Sequence, residues 1–347
     1  MTRPLWIDTR WLGPTGIGRF TQEVVGRLEG WAPLPGTLRR LHPLEPMWLA
    51  RQIARWRPAA YFSPGFNPPA RSRCPLLFTL HDLIHLRVRR EATIKFRLYY
   101  EAIVRPAAWR AERVLTVSEF SRRDILAWTG LPAERVVVVG NGVGAEFGPI
   151  GRTHPHRRGY VLCVSNAFPH KNLPRLLQAF AGTRARRDLD LVIVGPRDPD
   201  LLALRATLGL ETAVHLSGPV EAECLPRLYR GAVACVCPSL FEGFGLPALE
   251  AMASGTPVAV ADRTSLPEVV GPAGLTFDPT RPDAIAAAID RLVEDEGLRR
   301  RLVAAGLERA RAFTWDAVAE RVAAALRPYA EVRTRVGSNR DMNRRVA

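Results

Sequence analysis

The chain has 347 residues, 47% of them hydrophobic and 24% charged, with a formal charge of +15, enough length for two domains that each bury a core. It contains no run of 18 apolar residues, and "MTRPLWIDTR" at the start carries no apolar leader; neither a membrane span nor a secretion signal is expected, and the expected location is cytoplasmic. Cys74, Cys163, Cys224, Cys235 and Cys237 are odd in number and scattered, which argues against a disulfide framework and predicts free thiols and no metal.

The charge is unevenly placed. Residues 1–150 carry a net +10, 151–332 a net +1 and 333–347 a net +4, and every basic residue except Lys95 and Lys171 is an arginine. The arginine preference reads as a genomic bias. There is no zinc-finger spacing, RNP-like strand or heptad pattern, so no nucleic-acid partner is expected. An anionic membrane surface suits the basic first half better, since each basic group near it contributes on the order of 1 kcal/mol.

In chain order, "PLWID" predicts a first buried strand and "GPTGIGRFTQEVVGRL" a glycine loop feeding a helix. This is not a dinucleotide fingerprint. The order is Gly13, Gly16, Gly18, Thr21 stands where a last glycine belongs, and no acid follows about twenty residues on. Gly16, Ile17 and Gly18 suit close approach of a ligand to the backbone, and a plain tight turn is the other reading. In "PMWLARQIARWRP", Leu49, Ile53 and Trp56 share one helical face opposite Arg51 and Arg55. Residues 85–113 interleave eight basic residues with Tyr99, Tyr100 and Trp109. These segments either pack on a sheet or lie on a bilayer.

The strands "AAYFS", "PLLFTL", "RVLTVS" and "RVVVVG" complete the first half, with helices expected over 91–109 and 119–129. His81 and Asp82 end "PLLFTLHD", on the edge where open α/β sheets bind ligands. There a histidine hydrogen-bonds a sugar hydroxyl or moves a proton, or it only ties down a loop. Gly, Pro and charge over 148–159 predict a linker.

The second half repeats the alternation with "YVLCVS", "LDLVIVG", "AVHLSG", "AVACVCPS" and "PVAVA", and helices over 172–183, 221–230 and 281–294. Lys171 follows the first of these strands. A lysine in an arginine-rich chain suggests that a compact ammonium is wanted there, as against a phosphate, with an exposed turn lysine as the alternative. His170 beside it donates a further hydrogen bond or fills the turn. Asp190 in "DLDL" falls at the amino end of its strand and reads as a solvated turn, and "RDPD" over 197–200 as a turn into a helix.

"LFEGFGLPALEA" follows a strand end, with Pro247 expected at the first helical position. Gly243 to Leu246 then feed a helix N-terminus whose N–H groups suit a phosphate, while Glu242 and Glu250 suit hydroxyls of the same ligand. A buried strand–helix corner with dipole-friendly acids fits the spacing equally well. Eight residues on one helix rise about 12 Å, beyond the 5 to 9.5 Å or so of a glycosidase pair. Last, "FTWDAVAERVAAALRPYAEV" is a helix with Trp315, Val318 and Val322 on one side, and a disordered basic tail is expected over 333–347.

Together these stretches resemble the retaining glycosyltransferases of family four (glycosyl transferases group 1). "EGFGLPALE" is similar to that family's Glu-x7-Glu signature, supported by "TGIGRF", "LHD", "TVSEFSRRDI", "GNGV", "PHKNL", "LPEVVG" and "FTWD" over nearly the whole chain. The resemblance implies an α/β fold of GT-B type, two Rossmann-like doubly wound parallel-sheet domains facing a cleft. These would be an acceptor-side domain over 1–150, a nucleotide-sugar domain over 151–312, and a helix over 313–332 packing back on the first. It implies that Glu242 contacts the donor sugar and Glu250 the ribose, with Lys171 and the Gly243, Phe244, Gly245 and Leu246 backbone on the diphosphate. Gly16, Ser165, Asn166, His170 and Gly218 complete the donor site, and Gly16, Ile17, Gly18, His81 and Asp82 face the reacting centre and acceptor.

The chain departs from the pattern at His170, where many members carry arginine, and at Ser165, where some carry a further arginine. The implied activity is metal-independent, cofactor-free transfer with retention from GDP-mannose or a UDP-sugar to a glycan or lipid-linked hydroxyl, the diphosphate taking the proton. "PHKNL" leans toward mannose. An inactive nucleotide-sugar-binding module and, more distantly, a nicotinamide dehydrogenase are the competing readings.

Overall fold

The computed structural model describes residues 3–36, 38–89, 91–195 and 197–335. The chain divides into two units, residues 1–142 with 314–347 and residues 143–313. Among the described residues no helix is long and apolar enough to cross a membrane.

The first unit contains β1 (Leu5–Ile7), β2 (Leu28–Glu29), β3 (Trp31–Pro33), β4 (Ala60–Ser63), β5 (Leu76–Thr79), β6 (Arg113–Thr116) and β7 (Val136–Val138). Six of them form a parallel sheet in the order β3-β1-β4-β5-β6-β7. β1, β4 and β5 are buried at every residue, as strands must be when helices cover both faces. Helix Gly16–Val25 buries Phe20, Val24 and Val25.

Helix Glu45–Trp56 buries Leu49 and Ile53 in the core, whereas Trp56 is 56% exposed. The three therefore do not form one bilayer-facing stripe: the two aliphatics are needed to cover the sheet. The helix expected over 91–109 starts at Ile94, where the Thr93 hydroxyl caps it, and runs through a π turn at Tyr100–Val104 to Arg110.

Helix Trp315–Leu326 belongs to this unit. Its Trp315 ring lies 6.4 Å from that of Phe20, and Asp316 accepts from Arg27 at 2.6 Å. The terminal segment is not irregular from 333 onward, because Arg333–Thr334 pairs antiparallel with β2; the rest of the expected tail, 336–347, lies outside the described residues.

The second unit contains β8 (Gly159–Val164), β9 (Leu189–Val194), β10 (Val214–Gly218), β11 (Ala234–Cys237), β12 (Val258–Ala261) and β13 (Gly274–Phe277), all parallel in the order β10-β9-β8-β11-β12-β13. The expected linker is irregular over 148–158, with Gly159 already opening β8, but it lies inside this unit. Arg230 pins it by donating to the carbonyls of Gly148 and Arg152, both at 3.1 Å, and the His154 N–H donates to the Arg227 carbonyl at 2.9 Å. The boundary falls instead at Gly142/Val143 and Phe313/Thr314.

Both sheets grow outward from their first strand in two directions. The order reverses between β1 and β4 in the first unit and between β8 and β11 in the second. Outside the carboxyl ends of such a strand pair, diverging loops leave a crevice for ligands. In the second unit the loops flanking that crevice carry Lys171 and Glu242.

Candidate active site

Lys171 closes a short 3-10 turn, Pro169–Lys171, after β8, and Glu242 sits in the loop after β11. Across the point of reversal, Lys171 Nζ donates to Glu242 Oε1 at 2.7 Å, with side chains 14% and 15% exposed. Burial works against the Glu242 charge, but Lys171, Ser239 and His170 outweigh it and hold the carboxyl below its ordinary range. The two loops are joined directly as well, since the Leu240 N–H donates to the His170 carbonyl at 2.7 Å. His170 is buried and stacks under the Phe168 ring, so it fills the turn and adds positive potential at Glu242.

Three positions that the sequence reading passed over hold this pair in place. Asn172 adopts a left-handed conformation with φ +61°, and its Nδ2 donates to the Pro238 and Pro279 carbonyls at 3.1 and 2.7 Å. One buried side chain thereby ties the β8, β11 and β13 loop ends together. Thr264 and Ser265 hold the glycine-rich loop: Thr264 Oγ1 accepts from the Glu242 N–H at 3.0 Å, and the Ser265 hydroxyl lies 2.9 Å from the Glu242 and Phe244 carbonyls. The cue for Asn172 was its place in "PHKNL"; nothing local marked Ser265.

Helix Leu246–Ala253 begins one residue earlier than expected, with Pro247 second and Glu250 fifth, so Glu250 lies beyond the first turn. Its N-cap is Gly245 at φ +103°, where an added Cβ would stand 2.6 Å from Leu266 Cδ2. Only glycine suits that turn. No side chain caps this N-terminus; the Ala248 N–H turns back to the Gly245 carbonyl at 3.1 Å, and the partial positive charge of the helix end stays beside the loop after β11. Phe244 is buried against Phe313, so a ligand would meet its backbone alone. Glu250 Oε2 accepts from the Tyr229 hydroxyl at 3.0 Å. Burial and the Glu250 charge keep that phenol protonated by raising its pKa.

The remaining donor-side candidates also lie on the carboxyl edge. The Ser165 hydroxyl donates to the Asn166 carbonyl, and the Asn166 side-chain oxygen accepts from the Phe168 N–H at 3.1 Å. Both shape their own turn. Gly218 ends β10 with φ +81° beside the Arg197 side chain, a cation on this edge that "RDPD" had been read past. Asp190 is not a solvated turn: it is buried in β9 at the amino end, for reasons given below.

In the first unit, the Thr15 hydroxyl caps helix Gly16–Val25 by accepting from the Gly18 N–H at 3.0 Å. A Cβ on Gly18 would fall 2.0 Å from the Gly13 carbonyl oxygen, whereas nothing lies within 4 Å of one on Gly16. Gly18 is therefore required by the loop itself, and Gly16 and Ile17 are left as the positions open to a ligand. Asp82 accepts from the Ile84 N–H at 2.9 Å and starts a short helix.

His81 Nε2 lies 2.9 Å from the Pro64 carbonyl, with the Phe20 ring edge-on at 5.0 Å. Burial pushes its pKa down to about 4, against the opposing effect of that carbonyl. The ring is neutral at pH 7. Because a carbonyl only accepts, Nε2 carries the hydrogen and Nδ1 the lone pair. With the folded value below the ordinary 6.5, the unfolded chain binds the proton first. Stability from this group is therefore full above pH 6.5 and lost as pH falls toward 4. All eight tryptophans lie in the first unit, so their fluorescence follows its unfolding alone. Urea midpoints of wild type should fall between pH 6.5 and 4, and those of His81→Gln should fall less.

Known proteins resemble this chain over both of its units. The family profile described as glycosyl transferases group 1 matches residues 151–309, and that of glycosyltransferase family 4 matches residues 7–147. The O-antigen chain mannosyltransferase B of Escherichia coli is 35% identical over 293 residues, 80% of this chain and 76% of that protein. The MMP alpha-(1->4)-mannosyltransferase of Mycolicibacterium hassiacum is 36% identical, covering 75% of this chain and 67% of its own. Among solved structures, Anabaena HepE in complex with UDP and glucose superposes with a TM-score of 0.74 at 18% identity, over 94% of this chain and all of that one.

Proposed function

The chain belongs to the glycosyl transferases group 1 of family 4, and from that membership we propose that this hexosyltransferase moves mannose from a nucleotide-diphosphate donor, GDP-mannose first, to a glycan or lipid-linked hydroxyl. The observation that carries the reading is the Lys171–Glu242 pair across the strand-order reversal, beside an uncapped helix N-terminus. Breaking the anomeric bond builds charge on the departing diphosphate, which has to be stabilised more in the transition state than before it. Lys171 and the backbone N–H groups of Phe244, Gly245 and Leu246, at the mouth of the helix, supply that stabilisation without a metal. Glu242 meets the donor sugar and Glu250, oriented by Tyr229, the ribose. The reaction proceeds with retention, the acceptor hydroxyl arriving on the leaving group's face and its proton passing to the diphosphate.

The mannose choice rests on the two mannosyltransferase relatives, each at least 35% identical. Thermal-shift measurement against GDP-mannose, UDP-glucose and other nucleotide sugars tests it. A ligand at 100 times its dissociation constant stabilises by about 2.7 kcal/mol, so GDP-mannose should give the largest rise. A larger rise with another sugar changes the donor, and no rise with any of them rejects the reading.

An anionic membrane is the proposed setting. In the first unit Leu44, Met47, Trp56, Ile94, Leu98 and Trp109 are each more than half exposed on a half of the chain that carries a net +10. Vesicles with anionic lipid should sediment the protein and release it at high salt; binding that ignores salt and lipid charge would remove the membrane from the proposal.

A further inference from the structure

Away from the ligand crevice, at the amino ends of β8, β9 and β10, three side chains from separate elements converge. Asp190 is the second residue of β9 and is 3% exposed. Its Oδ2 lies 2.9 Å from His156 Nε2 and 3.1 Å from His215 Nε2. His156 comes from the segment entering β8, and His215 is the second residue of β10. Val192 pairs with His215 in the sheet, and Asp190 is two residues before it, so the strand alternation puts both side chains on one face.

We propose that His156, Asp190 and His215 form a binding site for one divalent late transition ion of the Zn²⁺ class, remote from the transfer chemistry. All three donor atoms lie within 4.8 Å of one another. Around a tetrahedral ion with metal–ligand bonds near 2.0 to 2.1 Å, neighbouring donors stand about 3.3 Å apart. The two contacts to Asp190 therefore need to lengthen by only a few tenths of an ångström. The ion takes the Nε2 lone pair of each neutral imidazole, whose hydrogen then sits on Nδ1.

Two imidazoles with one carboxylate suit Zn²⁺, Co²⁺ or Cu²⁺, whereas Mg²⁺ and Ca²⁺ demand oxygen sets. Arg158 Nη1 stands 3.1 Å from the other carboxylate oxygen, Oδ1. This is an ion-pair contact, and Oδ1 accepts no hydrogen bond; Oδ2 is left to the histidines, while the Arg158 charge tempers the affinity. The His215 side chain is 43% exposed and His156 18%, which gives an ion a path from solvent and room for water ligands. Bound there, the ion would cross-link the entering segment to β9 and β10.

The test uses the full chain, stripped with chelator and dialysed against tens of micromolar Zn²⁺ or Co²⁺. One equivalent should be retained, with a visible Co²⁺ absorption band, and His156→Gln and His215→Gln should each bind at least 100-fold more weakly. His42→Gln, at an exposed position in the other unit, should bind as wild type does. Because the glutamine variants keep the Asp190–Arg158 pair, they should fold as judged by circular dichroism. A readout needing no variant is the pulsed electron spin resonance of Cu²⁺-loaded wild type, which should show two imidazole nitrogens. Retention of less than a tenth of an equivalent by wild type, an unchanged Co²⁺ band in both glutamine variants, or fewer than two coupled imidazoles overturns the proposal. None of these readouts depends on turnover, so the outcome is independent of the glycosyl-transfer reading.

Discussion

Lys171→Ala is expected to lower kcat by about 10²- to 10³-fold, the scale for losing one group that stabilises developing charge. The substitution does a second thing. It leaves Glu242 in surroundings where burial opposes its charge, and breaking a buried pair costs about 3 to 5 kcal/mol unless the carboxyl takes up a proton. These effects can be separated. Lys171→Met combined with Glu242→Gln removes both charges at similar volume, and this double variant should regain the wild-type thermal midpoint while kcat, which has then lost the Glu242 contact as well, stays at least 10²-fold down. Thermal midpoints and steady-state kinetics of the three proteins decide the matter. Near-normal kcat in Lys171→Ala, or kcat that recovers with the midpoint in the double variant, would reduce Lys171 to a structural partner of Glu242.

Why Lys171 could be found in the sequence, and why other parts could not, follows from the range of the interactions. Lys171 stood out by composition, one of two lysines among 49 basic residues, just past an apolar run. The interior strands were legible because burial on both faces demands unbroken apolar residues. β3 and β13 were not, because "WAP" and "GLTF" interrupt the apolar run with a proline or a threonine and have only one buried residue, Phe277, between them. Asp190 was misread because its partners lie 34 and 25 residues away; no local pattern shows that "THPHR" and "VHL" close on one carboxylate.

The segment over 148–159 failed for a related reason. Its Gly, Pro and charge describe a chain without ladder hydrogen bonds, but the Arg230 guanidinium some eighty residues on satisfies its carbonyls and makes it part of the second unit. Strand order is the extreme case. That Lys171 and Glu242 flank a reversal between β8 and β11 depends on pairings among all six strands. The motif resemblance placed the two residues in one site without supplying this reason for their meeting.

The first unit has its own buried charge cluster at the reversal between β1 and β4, and Asp8→Ala is expected to destabilise that unit by about 3 to 5 kcal/mol, the scale for removing one partner of a buried pair. Asp8 is 0% exposed. Its carboxylate accepts from Arg10 Nη2 at 2.6 Å, Asn67 Nδ2 at 2.9 Å and the Tyr61 hydroxyl at 3.1 Å. Burial works against the Arg10 charge, but Asp8 outweighs it and Glu45 assists, holding the guanidinium above its ordinary range. Glu45 answers to the same guanidinium at 2.7 Å, yet burial still raises its own pKa, so it is a poor substitute for the missing carboxylate. Urea unfolding followed by tryptophan fluorescence reads this unit without interference from the other, and a loss below about 1 kcal/mol, the scale of one ordinary hydrogen bond, would show that the charge is dispensable.

The same cluster reaches the ligand edge. Asn67 Oδ1 accepts from the Trp11 indole at 2.6 Å and the Ser63 hydroxyl at 2.7 Å, which braces the loops after β1 and β4 beneath the Gly13–Gly18 turn. If that turn receives the acceptor, Asp8→Ala should weaken kcat/KM for the acceptor while nucleotide-sugar binding to the second unit, whose core is separate, stays at the wild-type value.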